Sequence, residues 1–296
     1  MIQPKEVKAV LNKHKKRDGW FLTEYSVNPY EGCSCNCLYC YIRGSKYGEN
    51  MADKLSVKSN VLEVLEKQLR SRSAKSQYGF VAVGSATDAY MPHESQLHMT
   101  EGILKLLYKY RFPVFISTKR DLITRDIELL KQIDQTAILP EDLRNRLKRG
   151  LILSVSISTM NEKISDTLEP GACSPSERLR ILEKLKQAGF FVGVNAIPIL
   201  PYISDTEEEL EKIISAAASH GADYILIGGL TLFGSGTADS KTLYYKFLQR
   251  HDPSLIPKYE QLYKENTFAP HAYHSTLKIQ SDIICRKYNL RTKILT

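Results

Sequence analysis

Four of the six cysteines in this 296-residue chain fall within eight residues, as Cys33, Cys35, Cys37 and Cys40. Thiols crowded in this way read as metal ligands or redox groups, because a disulfide framework spreads its cysteines over the chain. Within the cluster, Cys33, Cys37 and Cys40 spell C-x3-C-x2-C. That spacing lets three sulfurs converge from one loop onto three corners of a cubane iron–sulfur cluster, leaving the fourth iron open to another ligand. Structural zinc held by all four thiolates is the alternative chemistry, although zinc ligands usually arrive as two separated pairs. Cys35 stands outside the triad and is expected not to ligate.

Such a loop needs a scaffold that presents it at one edge. From about residue 78, short apolar runs alternate with amphipathic stretches, the pattern of strand-helix units around a parallel sheet. Strands are predicted at 78–84, 113–118, 151–158, 190–200 and 223–229, where dense Val, Ile, Leu and Phe fit strands covered on both faces. A strand at Glu24–Val27 leads into the cysteines, and a first helix is expected near Val57–Arg70. Further helices are expected at 96–110, 124–133, 174–189 and 204–221, with Ser174 or Ser176 and Ser204 or Asp205 as caps. Gly189 and Gly221 read as helix stops. The fold class expected is α/β, a partial (β/α)6 TIM-type barrel over 21–237 with a basic N-terminal arm at 1–20 and a C-terminal helical cap at 238–296.

Composition bounds the function. A hydrophobic content of 43% supports one enzyme-sized core. No signal-like apolar run opens the chain and no long uncharged apolar stretch occurs, so a soluble, cytoplasmic protein without membrane contact is expected. The net charge of +8 suits a polyanion such as DNA or RNA, and equally suits a solvated basic face. The cations singled out are KHKKR at 13–17 with Lys119, Arg120, Arg125, Arg144, Arg146, Lys148 and Arg149, several of them expected beside the barrel mouth.

The cysteine spacing after a first strand, Tyr39 before the last cysteine, and the series of strand-helix units resemble the radical S-adenosylmethionine superfamily. NPYEGC and CLYCYIRG, followed by GSATDAYMPHE, STKRDLITRDIELL, SVSIST, LEPGACSPSERL and NAIPILPYISDT, resemble its spore photoproduct lyase-like branch, in order from Asn28 to Gly229. The resemblance implies a 4Fe–4S cluster on Cys33, Cys37 and Cys40, with S-adenosylmethionine chelating the open iron. It also implies a reducing electron donor of flavodoxin or ferredoxin type. Reductive cleavage then yields a 5′-deoxyadenosyl radical that abstracts hydrogen from a substrate.

Other positions take roles from the same resemblance, each beside a plainer reading. Thr87 and Asp88 stand where the methionine amino group is bound, or form a strand-to-helix turn. Lys119 suits the cofactor carboxylate, or is an exposed cation. Ser156 and Ser158, two residues apart on a strand, both face the mouth toward the ribose or carboxylate, or satisfy backbone groups. Asn195 lies beside the adenine, and Gly228 and Gly229 let that ring approach the backbone, or simply make a turn. Cys173 is a candidate hydrogen donor; Glu169 and Arg178 around it read as an ion pair. His93 and Glu94 stand within possible reach of the site.

The leading function is thus a radical enzyme acting on nucleic acid. The same chemistry on a peptide or small metabolite, and a zinc-dependent nucleic-acid-binding protein, are the alternatives.

Overall fold

The computed structural model describes residues 2–44 and 55–295. Two short strands, β1 (Gln3–Lys5) and β2 (Asn12–Lys13), precede β3 (Thr23–Val27), β4 (Tyr30–Glu31), β5 (Ser56–Lys58) and helix α1 (Val61–Ala74). Then come β6 (Phe80–Val83), α2 (Glu94–Leu97), α3 (Met99–Lys109), β7 (Val114–Thr118) and α4 (Ile127–Thr136). They are followed by β8 (Leu151–Ser156), α5 (Glu162–Leu168), α6 (Pro175–Gln187), β9 (Val192–Ile199), α7 (Glu207–Ser219) and β10 (Tyr224–Gly229). Helices α8 (Ser240–His251), α9 (Leu255–Tyr263) and α10 (His271–Lys287) close the chain.

The main sheet runs β10-β9-β8-β7-β6-β3-β2, parallel throughout except for β2, which pairs antiparallel with β3. It is the partial barrel expected, with its strands' C-terminal ends on one edge. Alternation sorts the side chains. Val81, Val114, Ile116, Leu153, Val155, Val192, Val194 and Ile225 face outward into the core under the helices. Phe80, Ala82, Phe115, Ile152, Tyr224 and Leu226 fill the inside.

Several boundaries move for local reasons. Helix α1 starts at Val61 because residues 56–58 pair with β1 and β4. Ser174 forms the capping box of α6 as expected, with Glu177 reaching back to its N–H. Helix α7 is capped by Thr206, not by Ser204 or Asp205. Ser204 Oγ instead accepts from Leu200 N at 2.8 Å, and Asp205 Oδ1 from Tyr202 N at 2.6 Å.

The two chain ends differ more. Residues 2–20 are not a loose arm. Asn60 exchanges hydrogen bonds with the Val7 backbone, and Gln68 Oε1 accepts from Val10 N and Leu11 N, each at 3.0 Å. The segment after 238 is only partly a cap. Helices α8 and α9 bury Tyr244, Phe247, Leu248, Tyr259 and Tyr263 against the cysteine loop. Helix α10 instead sends Leu277, Ile284 and Cys285 into the core under the outer helices, taking the place of the sixth barrel helix. Beyond it, Ile225 N donates to Arg291 O at 2.8 Å, which covers the free edge of β10, and Ile294 enters the barrel interior.

Candidate active site

The cysteine loop leaves β4 through Gly32, whose φ is +79°, and turns again at Asn36, in the left-handed region at φ +51°. Asn36 N bonds Cys33 O at 3.2 Å, and Cys40 N bonds Cys37 O at 3.2 Å, so the loop is a run of tight turns. Arg43, itself buried, donates from Nε to Cys37 O at 2.9 Å and bonds the Asn36 side chain. From outside, Leu38 N donates to Leu168 O at 2.8 Å and Gly171 N to Cys35 O at 3.1 Å. Gly171 is obligatory: a Cβ there would lie 1.8 Å from the Ser34 carbonyl oxygen.

All six cysteines are free. Cys33, Cys35 and Cys37 are buried and Cys40 is partly so. Burial pushes the Cys37 and Cys40 thiols up, and the Lys119 cation draws both back. Cys35 is raised chiefly by its hydrogen bond with Cys33 and then by burial; its Sγ is turned 3.8 Å from Asp88 Oδ2. Among the described residues no three His, Cys, Asp or Glu side chains converge as a metal-binding set. The donor chemistry still fits an iron–sulfur cluster: three unpaired thiols on one loop, with the cations of Lys119 and Arg43 close by.

The other predicted residues arrive at this edge in different states. Asp88 is a turn organiser: its carboxylate accepts from Thr118 Oγ1 at 2.7 Å, Lys119 N at 2.8 Å and Tyr90 N at 2.9 Å, joining the ends of β6 and β7. Its own N–H points to Cys33 Sγ at 3.4 Å. Thr87 Oγ1 is buried without a partner. Lys119 Nζ lies 3.7 Å from Glu169, with 12% of its side chain exposed. Asn195 points inward from β9, donating to Ser117 Oγ at 2.9 Å while its Oδ1 is buried and unpartnered.

Ser156 and Ser158 do not act as a pair. Ser156 is half-buried, whereas Ser158 Oγ is buried against Tyr39, 2.8 Å from the phenol oxygen. The space expected for adenine at the paired glycines is also used by the chain itself. Trp20 Cη2 lies 3.5 Å from where a Gly228 Cβ would stand, and His274 Cε1 only 2.7 Å from that of Gly229. Cys173 is half-buried between the ends of β7 and the start of α6, with its N–H on Lys119 O at 3.2 Å and its thiol raised by burial.

Glu169 is the hub that the sequence left as a simple ion pair. It is 3% exposed, bonds Arg178 and the Tyr39 hydroxyl, and receives Ser158 Oγ and Ser165 Oγ at 3.4 Å each. Burial holds its carboxyl above the ordinary range against the pull of Arg178. Arg178 also donates to Ser156 O at 2.8 Å and Cys173 O at 2.7 Å. Glu94 belongs to a separate buried brace behind the loop, bonded by Tyr30 and by Arg125 at 3.2 Å, and so does not reach the mouth.

The cations divide as well. Lys119 and Arg120 follow β7 at the mouth, but Arg144, Arg146, Lys148 and Arg149 precede β8 and lie at the opposite edge. Arg125 is committed to Glu94 and Asp126. A hollow of about 670 Å³ beside α7, lined by Met160, Lys212, Ser215 and Tyr288 among others, contains none of these residues. No helix among the described residues is long and apolar enough to cross a membrane.

Comparison with known proteins agrees with this geometry. The family model described as the Radical SAM superfamily matches residues 27–217. An uncharacterized protein of Mycobacterium tuberculosis is 29% identical over 272 residues, covering 90% of this chain and 75% of the relative. One from Acidianus two-tailed virus is 28% identical over 240 residues, covering 76% of this chain and 72% of the relative. In fold, the chain resembles spore photoproduct lyase complexed with dinucleoside spore photoproduct, with TM-score 0.66 at 15% identity, over 96% of this chain and 78% of that one. A spore photoproduct lyase variant with bound S-adenosylmethionine and the same dinucleoside gives TM-score 0.64 at 16% identity, over 92% and 76%. This chain belongs to the radical S-adenosylmethionine superfamily, enzymes that work with an iron–sulfur cluster, S-adenosylmethionine and an electron donor.

Proposed function

We propose that Cys33, Cys37 and Cys40 hold a 4Fe–4S cluster and that the enzyme acts on nucleic acid. The observation that carries the first part is the placement of these three free thiols on one braced loop at the C-terminal edge of the parallel sheet. When bound, the cluster and S-adenosylmethionine supply a 5′-deoxyadenosyl radical for hydrogen abstraction from the substrate.

The chain's own groups orient and enclose. Asp88 fixes the turn that presents the Thr87 hydroxyl, a free acceptor for the methionine amino group. The Lys119 ammonium has one long ion pair and is open to the methionine carboxylate. Ser156 stands for the ribose hydroxyls, and the Asn195 carbonyl oxygen for an adenine N–H. Ser158 serves one step removed, by seating Tyr39. Cys173, with its pKa raised, keeps its S–H at neutral pH, the form that can return a hydrogen atom to a product.

Nucleic acid as substrate is supported by the charge of +8 and by Lys119 and Arg120 at the mouth, while the exposed Lys15, Lys16, Arg144, Arg146 and Lys148 extend the basic surface away from it. A flavodoxin or ferredoxin donor and a cytoplasmic setting complete the reading. The test is anaerobic reconstitution with iron and sulfide, followed by dithionite and S-adenosylmethionine. A brown protein that releases 5′-deoxyadenosine, and loses this in each of Cys33→Ala, Cys37→Ala and Cys40→Ala but not in Cys35→Ala, is expected. Colourless protein holding one zinc would instead favour the zinc-dependent alternative for the cysteines.

A further inference from the structure

The sole tryptophan of the chain is 47% exposed, on a backbone that is held in place. Asp18 Oδ1 accepts from Trp20 N at 2.8 Å and from Phe21 N at 2.7 Å, an Asx-type turn that fixes the backbone. Phe21 anchors the next position inside the barrel, with its ring 4.8 Å from that of Phe115. Arg17 pins the same loop from the other side by bonding both Glu24 and Asp142. The loop joins β2 to β3 at one border of the sheet, and Trp20 reaches Gly228 on β10, the strand at the other border. A half-exposed indole thus stands across the open side of the barrel.

Its surroundings carry positive charge. Lys13, Lys15 and Lys16 are exposed on the same hairpin. The Arg17–Asp142 contact brings that hairpin against the segment bearing exposed Arg144, Arg146 and Lys148, where Glu141 is the exposed acid without an ion pair to this loop. An exposed aromatic face on a held backbone beside a row of solvated cations is the pairing that binds a single nucleic-acid strand, bases stacking on the ring while phosphates meet the ammonium and guanidinium groups.

We propose that Trp20 is a stacking platform for a base of single-stranded nucleic acid, with Lys15, Lys16, Arg144 and Arg146 along its phosphates. The proposal rests on the nucleic-acid reading above and adds the form of the polymer and the face, which runs from the edge opposite the mouth up the open side of the barrel to Trp20 beside Gly228, near the C-terminal end of β10.

Because Trp20 is the one tryptophan, its fluorescence, excited where tyrosine does not absorb, reports this spot alone. The holoenzyme is titrated with an oligothymidylate, with the corresponding duplex, and with polyglutamate as a polyanion without bases. Quenching by the single strand, little by the duplex and none by polyglutamate is expected. By anisotropy of labelled oligothymidylate, Trp20→Ala is expected to bind about tenfold more weakly, and Trp20→Phe to recover most of that loss. Lys15→Ala with Lys16→Ala is expected to lower the slope of log affinity against log salt by about 1.4, the value for two phosphate contacts on a single strand. Equal binding by Trp20→Ala and its parent overturns the platform while leaving nucleic acid as substrate. Quenching by polyglutamate as strong as by oligothymidylate overturns both, and points to an acidic peptide.

Discussion

The phenol oxygen of Tyr39, one residue before Cys40, lies 2.8 Å from Ser158 Oγ and also bonds the carboxylate of Glu169. The cysteine loop is therefore latched to the segment after β8 through a buried carboxylate whose charge is balanced by Arg178.

Glu169→Gln keeps an acceptor for Tyr39 but strands the Arg178 guanidinium, which is 1% exposed. Removing one partner of a buried pair costs about 3–5 kcal/mol, whereas Tyr39→Phe should cost about 1 kcal/mol, the worth of a typical hydrogen bond. Urea midpoints of the two apoproteins check the order; a larger loss in Tyr39→Phe would show that the latch, not the ion pair, holds the segment.

Gly171→Ala places a methyl against the Ser34 carbonyl. The loop must move, at a cost of about 1–3 kcal/mol. Iron and sulfide content after reconstitution is expected to fall severalfold in this variant, although no ligand is altered. Unchanged content would mean that the loop relaxes freely.

Asp205 accepts from the Tyr273 hydroxyl at 2.9 Å and from Tyr202 N, tying α10 to the turn before α7. Burial raises its carboxyl against both of these bonds. A carboxyl whose folded pKa exceeds its unfolded value contributes stability that is complete below the unfolded pKa and is lost as pH rises through the folded one. Asp205→Asn is free of that loss, so its stability relative to the parent should climb with pH across the carboxylate range. Urea midpoints at several pH values measure it, and a constant difference would contradict the assigned direction.

Asn195 Oδ1 is a buried acceptor without a donor, an arrangement that costs about 1–3 kcal/mol until a ligand fills it. Asn195→Ala is expected to leave apoprotein stability nearly unchanged and to weaken S-adenosylmethionine binding about tenfold by calorimetry. A large stability loss with normal binding would make Asn195 a strut for Ser117.

The strands β6 to β10 were legible because their apolar runs are nearly continuous, and the cysteine loop because its spacing is local. Helix α10 was not, since a polar helix after residue 238 reads alike whether it caps the barrel or completes it; only Leu277, Ile284 and Cys285 meeting the outer core decides. The cations at 144–149 stand just before the strand predicted at 151–158, so the order of the chain already put them at the edge opposite the mouth; expecting them beside the mouth rested on closeness to a strand end without regard to which end. Glu169 and Arg178 looked superficial because charge normally marks the surface, and their burial depends on the Tyr39 contact from 130 residues away. Trp20 gave no signal at all, its place being set by the closure of the barrel.

The apolar contacts of the cysteine loop fall with α8 and α9 in one cluster, distinct from the cluster beneath the outer helices. Two packing units of this kind open with separate free energies. Loading the loop adds stabilisation to the unit it shares with Tyr244, Tyr259 and Tyr263, and little to the other. Amide hydrogens of α8 and α9 should therefore exchange faster when the loop is empty, while those of β7 and β8 keep their protection. Protection of α8 and α9 that appears only on loading would tie the packing of residues 240–263 to the occupancy of the loop.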